Sequence, residues 1–140
     1  MQQFPRTYWG LWRKALAEIV AAFSTAQVSY ANPVGPTVVD GSASFSIQGN
    51  LLTVTNSPGA ILNWHSFSIG QGEITKFIQQ SSASVVLNRV VGLDPSSILG
   101  ALQSSGREFL INPNGIVFGQ GAQINVAGLV ASRHSKGVIK

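Results

Sequence analysis

The side chains that could perform acid–base or metal chemistry are few in this chain and widely scattered. It has two histidines, five carboxylates and no cysteine. These residues are Glu18, Asp40, His65, Glu73, Asp94, Glu108 and His134. Because none shares a motif with another, we expect no catalytic, metal-ligating or cofactor-binding residue and predict that the chain is not an enzyme. The lack of cysteine also excludes disulfides, zinc–thiolate sites and thiol nucleophiles.

The net charge of +4 suggests nucleic-acid binding, but the distribution of charge argues against it. Most basic residues lie near the two ends, and residues 32–132 carry three basic against four acidic side chains. A phosphate-binding surface needs clustered cations, so we expect no nucleic-acid partner. The three basic residues of this body, Lys76, Arg89 and Arg107, could instead meet an acidic docking surface.

Asparagines follow a pair of aliphatic residues three times in the middle of the chain. They are Asn63, Asn88 and Asn112, at intervals of 25 and 24 residues. Residues 61–72 and 110–121 also align without a gap, and both end in Gly-Gln-Gly. Such periods indicate a solenoid. In a parallel β-helix, equivalent residues stack about 4.8 Å apart, so we predict an asparagine ladder whose side-chain amides bond to one another.

Short apolar stretches broken by turn residues predict strands from Asn32 onward. The predicted strands are 44–47, 51–55, 60–64, 67–69, 74–78, 84–90, 97–103, 108–111, 116–118, 123–126 and 129–131. Residues 94–102 also fit a short helix that begins at Pro95, although the alternation of Ile98, Gly100 and Leu102 favours a strand. Strand spacing alone would suit a sandwich or barrel, but the repeat favours an all-β parallel β-helix. We expect its interior to hold Trp64, Phe67, Ile69, Phe77, Phe109 and Phe118.

The first 31 residues differ in composition from the rest of the chain. A basic start, an apolar stretch and small residues at Ser29 and Ala31 predict a secretory signal peptide over 1–31, with cleavage after Ala31 or Ala26. Alternatively, an amphipathic helix is retained and lies on a membrane surface or a partner, since apolar residues recur at helical spacing from Trp12 to Phe23. No apolar stretch is long enough to predict a transmembrane span.

The most specific short motif is Asn112-Pro113-Asn114-Gly115. Proline, asparagine and glycine at these positions form a tight β-turn, and Asn112 can accept a bond from the backbone two residues on. In its context, residues 107–119, the motif resembles the signature of the filamentous-haemagglutinin N-terminal domain, also called the haemagglutination activity or two-partner secretion domain. Further stretches at 49–54, 61–70, 83–90 and 127–132 are similar to the same family and occur in the same order.

This resemblance implies a right-handed parallel β-helix and a role in export. It implies passage through the Sec machinery and recognition by an outer-membrane β-barrel transporter with periplasmic docking domains. The domain would head a large adhesin, haemagglutinin or toxin that is secreted or displayed at the cell surface, where the full-length protein is expected to bind host or neighbouring cells. Asn112, Pro113, Asn114 and Gly115 match the family's motif, which serves folding and secretion.

The chain departs from the family in its length and in its basic tail, 133–140. We therefore expect a partial domain over 32–132, a solenoid of about three coils with an open edge, and a truncated gene product. Two alternative functions are a membrane-surface-anchored structural β-helix and a carbohydrate-active β-helix enzyme. The enzyme would need clustered carboxylates, which the sequence does not provide.

Overall fold

The computed structural model describes residues 32–134, which form twelve β-strands and no helix. The strands are β1 Thr37–Asp40, β2 Ala43–Gln48, β3 Leu51–Asn56, β4 Ala60–Trp64, β5 Ile74–Ile78, β6 Val85–Val90, β7 Ser96–Ile98, β8 Ala101–Ser104, β9 Arg107–Ile111, β10 Ile116–Phe118, β11 Gln123–Asn125 and β12 Gly128–Ser132. The predicted signal or helical segment, 1–31, and residues 135–140 of the predicted tail lie outside the described residues. Within 32–134, no helix has the length and apolarity to cross a bilayer.

The strands wind into a parallel β-helix, which confirms the predicted fold class. Successive coils place one strand each in two long sheets, ordered β3-β5-β8-β11 and β4-β6-β9-β12, and all of these neighbours pair in parallel. A third, shorter sheet pairs β7 with β10 and continues through a bridge between Ile69 and Ile98. The result is three complete coils and part of a fourth, slightly more than the three expected.

Two antiparallel strands close the N-terminal end of the solenoid, and the sequence did not predict this arrangement. β2 forms a hairpin with β3, and β1 runs antiparallel to β4. The two strands supply hydrogen-bond partners for the first coil, whose backbone groups would otherwise form two open sheet edges. β1 lay in a segment for which no strand was predicted.

The interior is filled by residues that alternate along each strand and stack from coil to coil. Trp64 meets Phe67 edge-on at 5.5 Å between ring centroids, and Phe67 stacks on Phe77 at 6.4 Å. Four of the six predicted interior residues are buried, whereas Phe109 is half-buried and Phe118 is 41% exposed. Phe118 was misplaced because it lies in β10, on the last side of the third coil, where no further strand covers the sheet.

A corner at Leu99-Gly100 separates β7 from β8, so the single strand predicted over 97–103 is two strands. Gly100 allows the corner because a β-carbon there would collide with the carbonyl oxygens of Gly70 and Glu73 in the coil below. The helix considered from Pro95 onward is wrong, since Ser96–Ile98 pairs in parallel with β10.

Candidate functional site

The predicted ladder of Asn63, Asn88 and Asn112 is wrong. Asn63 pairs in register with Arg89, one residue beyond Asn88, and Asn88 pairs with Leu110. Side chains alternate between the two faces of a strand, so a register difference of one residue reverses their direction. Asn63 is therefore half-buried on the outer face, whereas Asn88 is buried inside the coil.

Asn88 belongs to a buried polar network instead. The Trp64 indole Nε1 donates to Asn88 Oδ1 at 2.8 Å, and Asn88 Nδ2 donates to Glu108 Oε2 at 2.9 Å. Glu108 is only 1% exposed. Desolvation raises the pKa of this carboxyl from 4.5 to about 8, although hydrogen bonds from Ser104, Asn88 and Gln79 act in the opposite direction. Glu108 is therefore mostly protonated at neutral pH in the folded chain.

The polar stack that does exist lies at the corner between the two long sheets. Asn56 Nδ2 donates to Gln79 Oε1 at 3.3 Å, and Gln79 Nε2 donates to Ser104 Oγ at 3.1 Å and to Arg107 O at 3.0 Å. These side chains come from successive coils, 23 and 25 residues apart. The repeat analysis did not predict this stack, because each coil contributes a different residue type. The recurrence of polar residues at the ends of strands is the sequence pattern that could have predicted it. The stack pairs most of its buried side-chain groups, although Asn56 Oδ1 has no partner in the described part of the chain, and it links successive coils.

The turn at 112–115 has the geometry that its sequence predicts. Asn112 Oδ1 accepts from the Asn114 backbone N–H at 2.9 Å, and Asn112 O accepts from the Gly115 N–H at 3.0 Å. Gly115 has a φ of 110°, a conformation that residues with a β-carbon rarely adopt. Asn112 is fully buried, whereas Pro113 and Asn114 are exposed.

This turn also joins three coils. Asn112 Nδ2 donates to Asp94 O at 3.0 Å and to Ser96 Oγ at 2.9 Å in the coil below. The Ser96 N–H donates to Gly115 O at 2.9 Å, and the Asn112 N–H donates to Ser132 O of the next coil at 3.0 Å. The motif therefore has a buried half that binds neighbouring coils and an exposed half at the surface.

The other titratable residues remain dispersed in the structure. Asp40, His65 and Asp94 are exposed, and Glu73 Oε1 accepts the Gly70 backbone N–H at 2.6 Å. Among residues 32–134, no three His, Asp or Glu side chains come close enough to hold a metal ion together. The described residues thus assemble turns and buried polar networks.

Comparison with known proteins gives three consistent similarities. The family model described as TPS secretion domain matches residues 22–136. A heme/hemopexin-binding protein of Haemophilus influenzae is 46% identical over 101 residues, which cover 71% of this chain and 11% of that protein. The crystal structure of the HMW1 secretion domain from Haemophilus influenzae superposes with a TM-score of 0.73 at 40% identity, covering 77% of this chain and 30% of that one. This chain therefore spans about a tenth of the length of the curated relative.

Proposed function

Because the chain belongs to the TPS secretion domain family, a family of secretion-recognition domains in two-partner secretion, we propose that an outer-membrane β-barrel transporter binds this solenoid and exports the exoprotein that carries it. The observation that carries this proposal is the turn at 112–115. Its buried Asn112 joins the coils, while Pro113 and Asn114 stand at the surface. An exposed, rigid turn on a preformed fold is a surface that a partner can recognise with little ordering cost.

The route to the transporter is part of the same proposal. A signal peptide over 1–31 takes the chain through the Sec machinery, and periplasmic docking domains of the transporter then bind the solenoid over 32–132. The mature protein is secreted or remains at the cell surface. The family match begins at residue 22 and ends at residue 136. It therefore overlaps the segment assigned to the signal peptide, 1–31, and the segment assigned to the tail, 133–140. The domain boundaries at 31 and 132 stay predictions.

We further propose that the whole exoprotein is an adhesin-like surface protein whose ligand-binding part lies outside this domain. The relatives' printed name, heme/hemopexin-binding protein, makes haem or hemopexin a candidate ligand for that whole protein. The domain itself performs no catalysis in this proposal, since its family is a secretion domain.

The test is export of the full chain from a bacterium that carries or lacks the cognate barrel transporter. We expect the protein in the medium or at the surface only when the transporter is present, and in the periplasm when it is deleted. The double variant P113A/N114A should reduce export, because it changes the exposed half of the turn. Q120A changes an exposed turn residue of the same coil and serves as the matched control. Equal export with and without the transporter would refute the proposal.

The alternative, a membrane-surface-anchored β-helix, makes a different prediction for the N-terminus. N-terminal sequencing of the mature protein should begin at residue 32 or 27 if the signal peptide is cleaved. An intact Met1 on a membrane-associated protein would favour the anchored form.

A further inference from the structure

A groove that contains two arginines lies beside the Asn112–Gly115 turn. It has a volume of about 610 Å³. The residues that define its character are Arg89, Val91, Ile111, Pro113 and Arg133. Neither the turn motif nor the repeat pattern predicted this groove, because its two arginines come from different coils.

Both arginines line this groove because the strands that carry Arg89 and precede Arg133 belong to one sheet. Arg89 of β6 pairs with Ile111 of β9, and Ile111 pairs with Ser132 of β12, immediately before Arg133. Strands in a sheet are about 4.8 Å apart, so two spacings separate the coil of Arg89 from that of Arg133 by roughly 10 Å. The groove therefore spans strands of successive coils, and both arginines contribute to its lining.

The groove carries an uncompensated positive charge. Its lining within residues 32–134 includes Arg89, Arg133 and His134 but no carboxylate. The Nε of Arg89 is buried and has no hydrogen-bond partner in the described part of the chain. For the guanidinium groups that line the groove, a carboxylate is the best-matched ligand, because it accepts two parallel hydrogen bonds.

The walls of the groove indicate what else its occupant must contain. Val91 is 63% exposed and Pro113 is also exposed, so the two residues present apolar surface in the groove, with Ile111 buried beneath. An extended peptide that combines acidic and aliphatic side chains complements both features. The chain's own residues 135–140 do not fit, since they contain Lys136 and Lys140 and no acidic residue.

We propose that this groove binds an acidic, aliphatic peptide segment of the barrel transporter's periplasmic part, with carboxylates at Arg89 and Arg133. This inference rests on the proposed function and specifies the surface and the partner chemistry that recognition uses. The aliphatic wall at Pro113 makes the groove continuous with the exposed half of the turn.

Three single variants and one double variant test the assignment in the full chain. R89Q, R133Q and R89Q/R133Q remove the groove charges, and R89K keeps the charge but loses the planar fork. R107Q is the matched control, because Arg107 is an exposed arginine that does not line the groove. Thermal unfolding of each variant verifies that it is folded before binding is measured.

Binding is measured to the detergent-solubilised cognate transporter and to two octapeptides, one alternating Val and Glu and one alternating Val and Gln. We expect the Glu peptide to bind at least tenfold more tightly than the Gln peptide. The double variant should lose about tenfold or more in affinity for the Glu peptide and for the transporter, R89K should be intermediate, and R107Q should stay within about twofold of the unchanged chain. Salt should weaken binding of the unchanged chain more than that of the double variant.

The outcomes separate this inference from the function on which it rests. If transporter-dependent export is normal and the double variant binds and is exported like the unchanged chain, the groove assignment fails while the secretion function stands. Equal losses in R107Q, or binding to phosphatidylglycerol vesicles but not to the Glu peptide, would also overturn it. If the unchanged chain does not depend on the transporter, both proposals fail.

Discussion

The buried carboxyl of Glu108 makes the stability of the solenoid depend on pH. Burial raises its pKa from 4.5 to about 8. Between these values the folded chain keeps a proton that the unfolded chain has released, so stability is greatest below pH 4.5 and is lost as the pH rises towards 8. Each tenfold change in proton affinity is worth about 1.4 kcal/mol, and the full rise therefore removes up to about 5 kcal/mol. A loss of this size is a large share of the free energy of unfolding of a typical small domain, about 5–15 kcal/mol.

The variant E108Q should remove this dependence, because glutamine has nearly the same shape and is neutral at every pH. We expect the free energy of unfolding of E108Q to fall by about 4 kcal/mol less than that of the unchanged chain between pH 5 and pH 9. The comparison uses the change with pH, because glutamine also replaces one oxygen that accepts from Asn88 or Gln79 by an N–H donor. Urea unfolding followed by far-UV circular dichroism at pH 5, 6, 7, 8 and 9 measures the difference. E73Q keeps Glu108 and should therefore keep the original pH dependence.

Parallel curves of unfolding free energy against pH for the unchanged chain and E108Q would refute this reasoning. If the unchanged chain and E108Q lose stability equally between pH 5 and pH 9, Glu108 does not carry the proton linkage. A rise in the stability of the unchanged chain between pH 5 and pH 9, absent in E108Q, would show that the ionised carboxylate is stabilised by its amide and hydroxyl neighbours, which contradicts the dominance of desolvation.

Three further substitutions test the turn and the interior by urea unfolding. G115A should cost about 1–3 kcal/mol from backbone strain alone, because the φ of Gly115 is 110° and an added β-carbon would meet no atom within 4 Å. G121A is the control, because Gly121 has no positive φ, and it should be near neutral. Equal losses in the two variants would contradict the strain argument. N112A should cost about 2 kcal/mol or more because it leaves several buried partners unpaired. N63A should have little effect, because its Oδ1 has no partner in the described part of the chain; similar losses in the two variants would contradict this difference in role. W64F removes the donor to a buried amide oxygen and should cost about 1–2 kcal/mol; an unchanged stability would mean that another donor replaces it.

Much of the local structure could be predicted from the order of residues. The alternation in 51–55 and 60–64 and the turn at 112–115 depend on neighbours in the chain, so the period-two pattern and the turn chemistry were sufficient. The 49-residue offset between the similar segments 61–72 and 110–121 likewise predicted a solenoid from sequence alone.

The register between coils could not be predicted in the same way. The sequence alignment paired Asn63 with Asn88 because the two residues are identical. In the structure Asn63 pairs with Arg89, because paired strands align their buried positions with one another. In the folded chain, Leu62 and Asn88 share an interior position, since Asn88 finds an indole donor and a carboxyl acceptor there. A polar residue is stable at such a position only when the fold supplies its partners.

The sequence by itself determined a solenoid of short strands, most of the corners between them and the asparagine that shapes the turn at 112–115, because these depend on backbone preferences and on apolar periodicity. Only the tertiary structure decided which side chains meet across coils. Stacking placed Glu108 beside Asn88 and Gln79, and it placed Arg89 two strands from Arg133. The reason is that contacts between coils depend on the register of the paired strands, and a register difference of one residue turns a side chain to the opposite face of its strand.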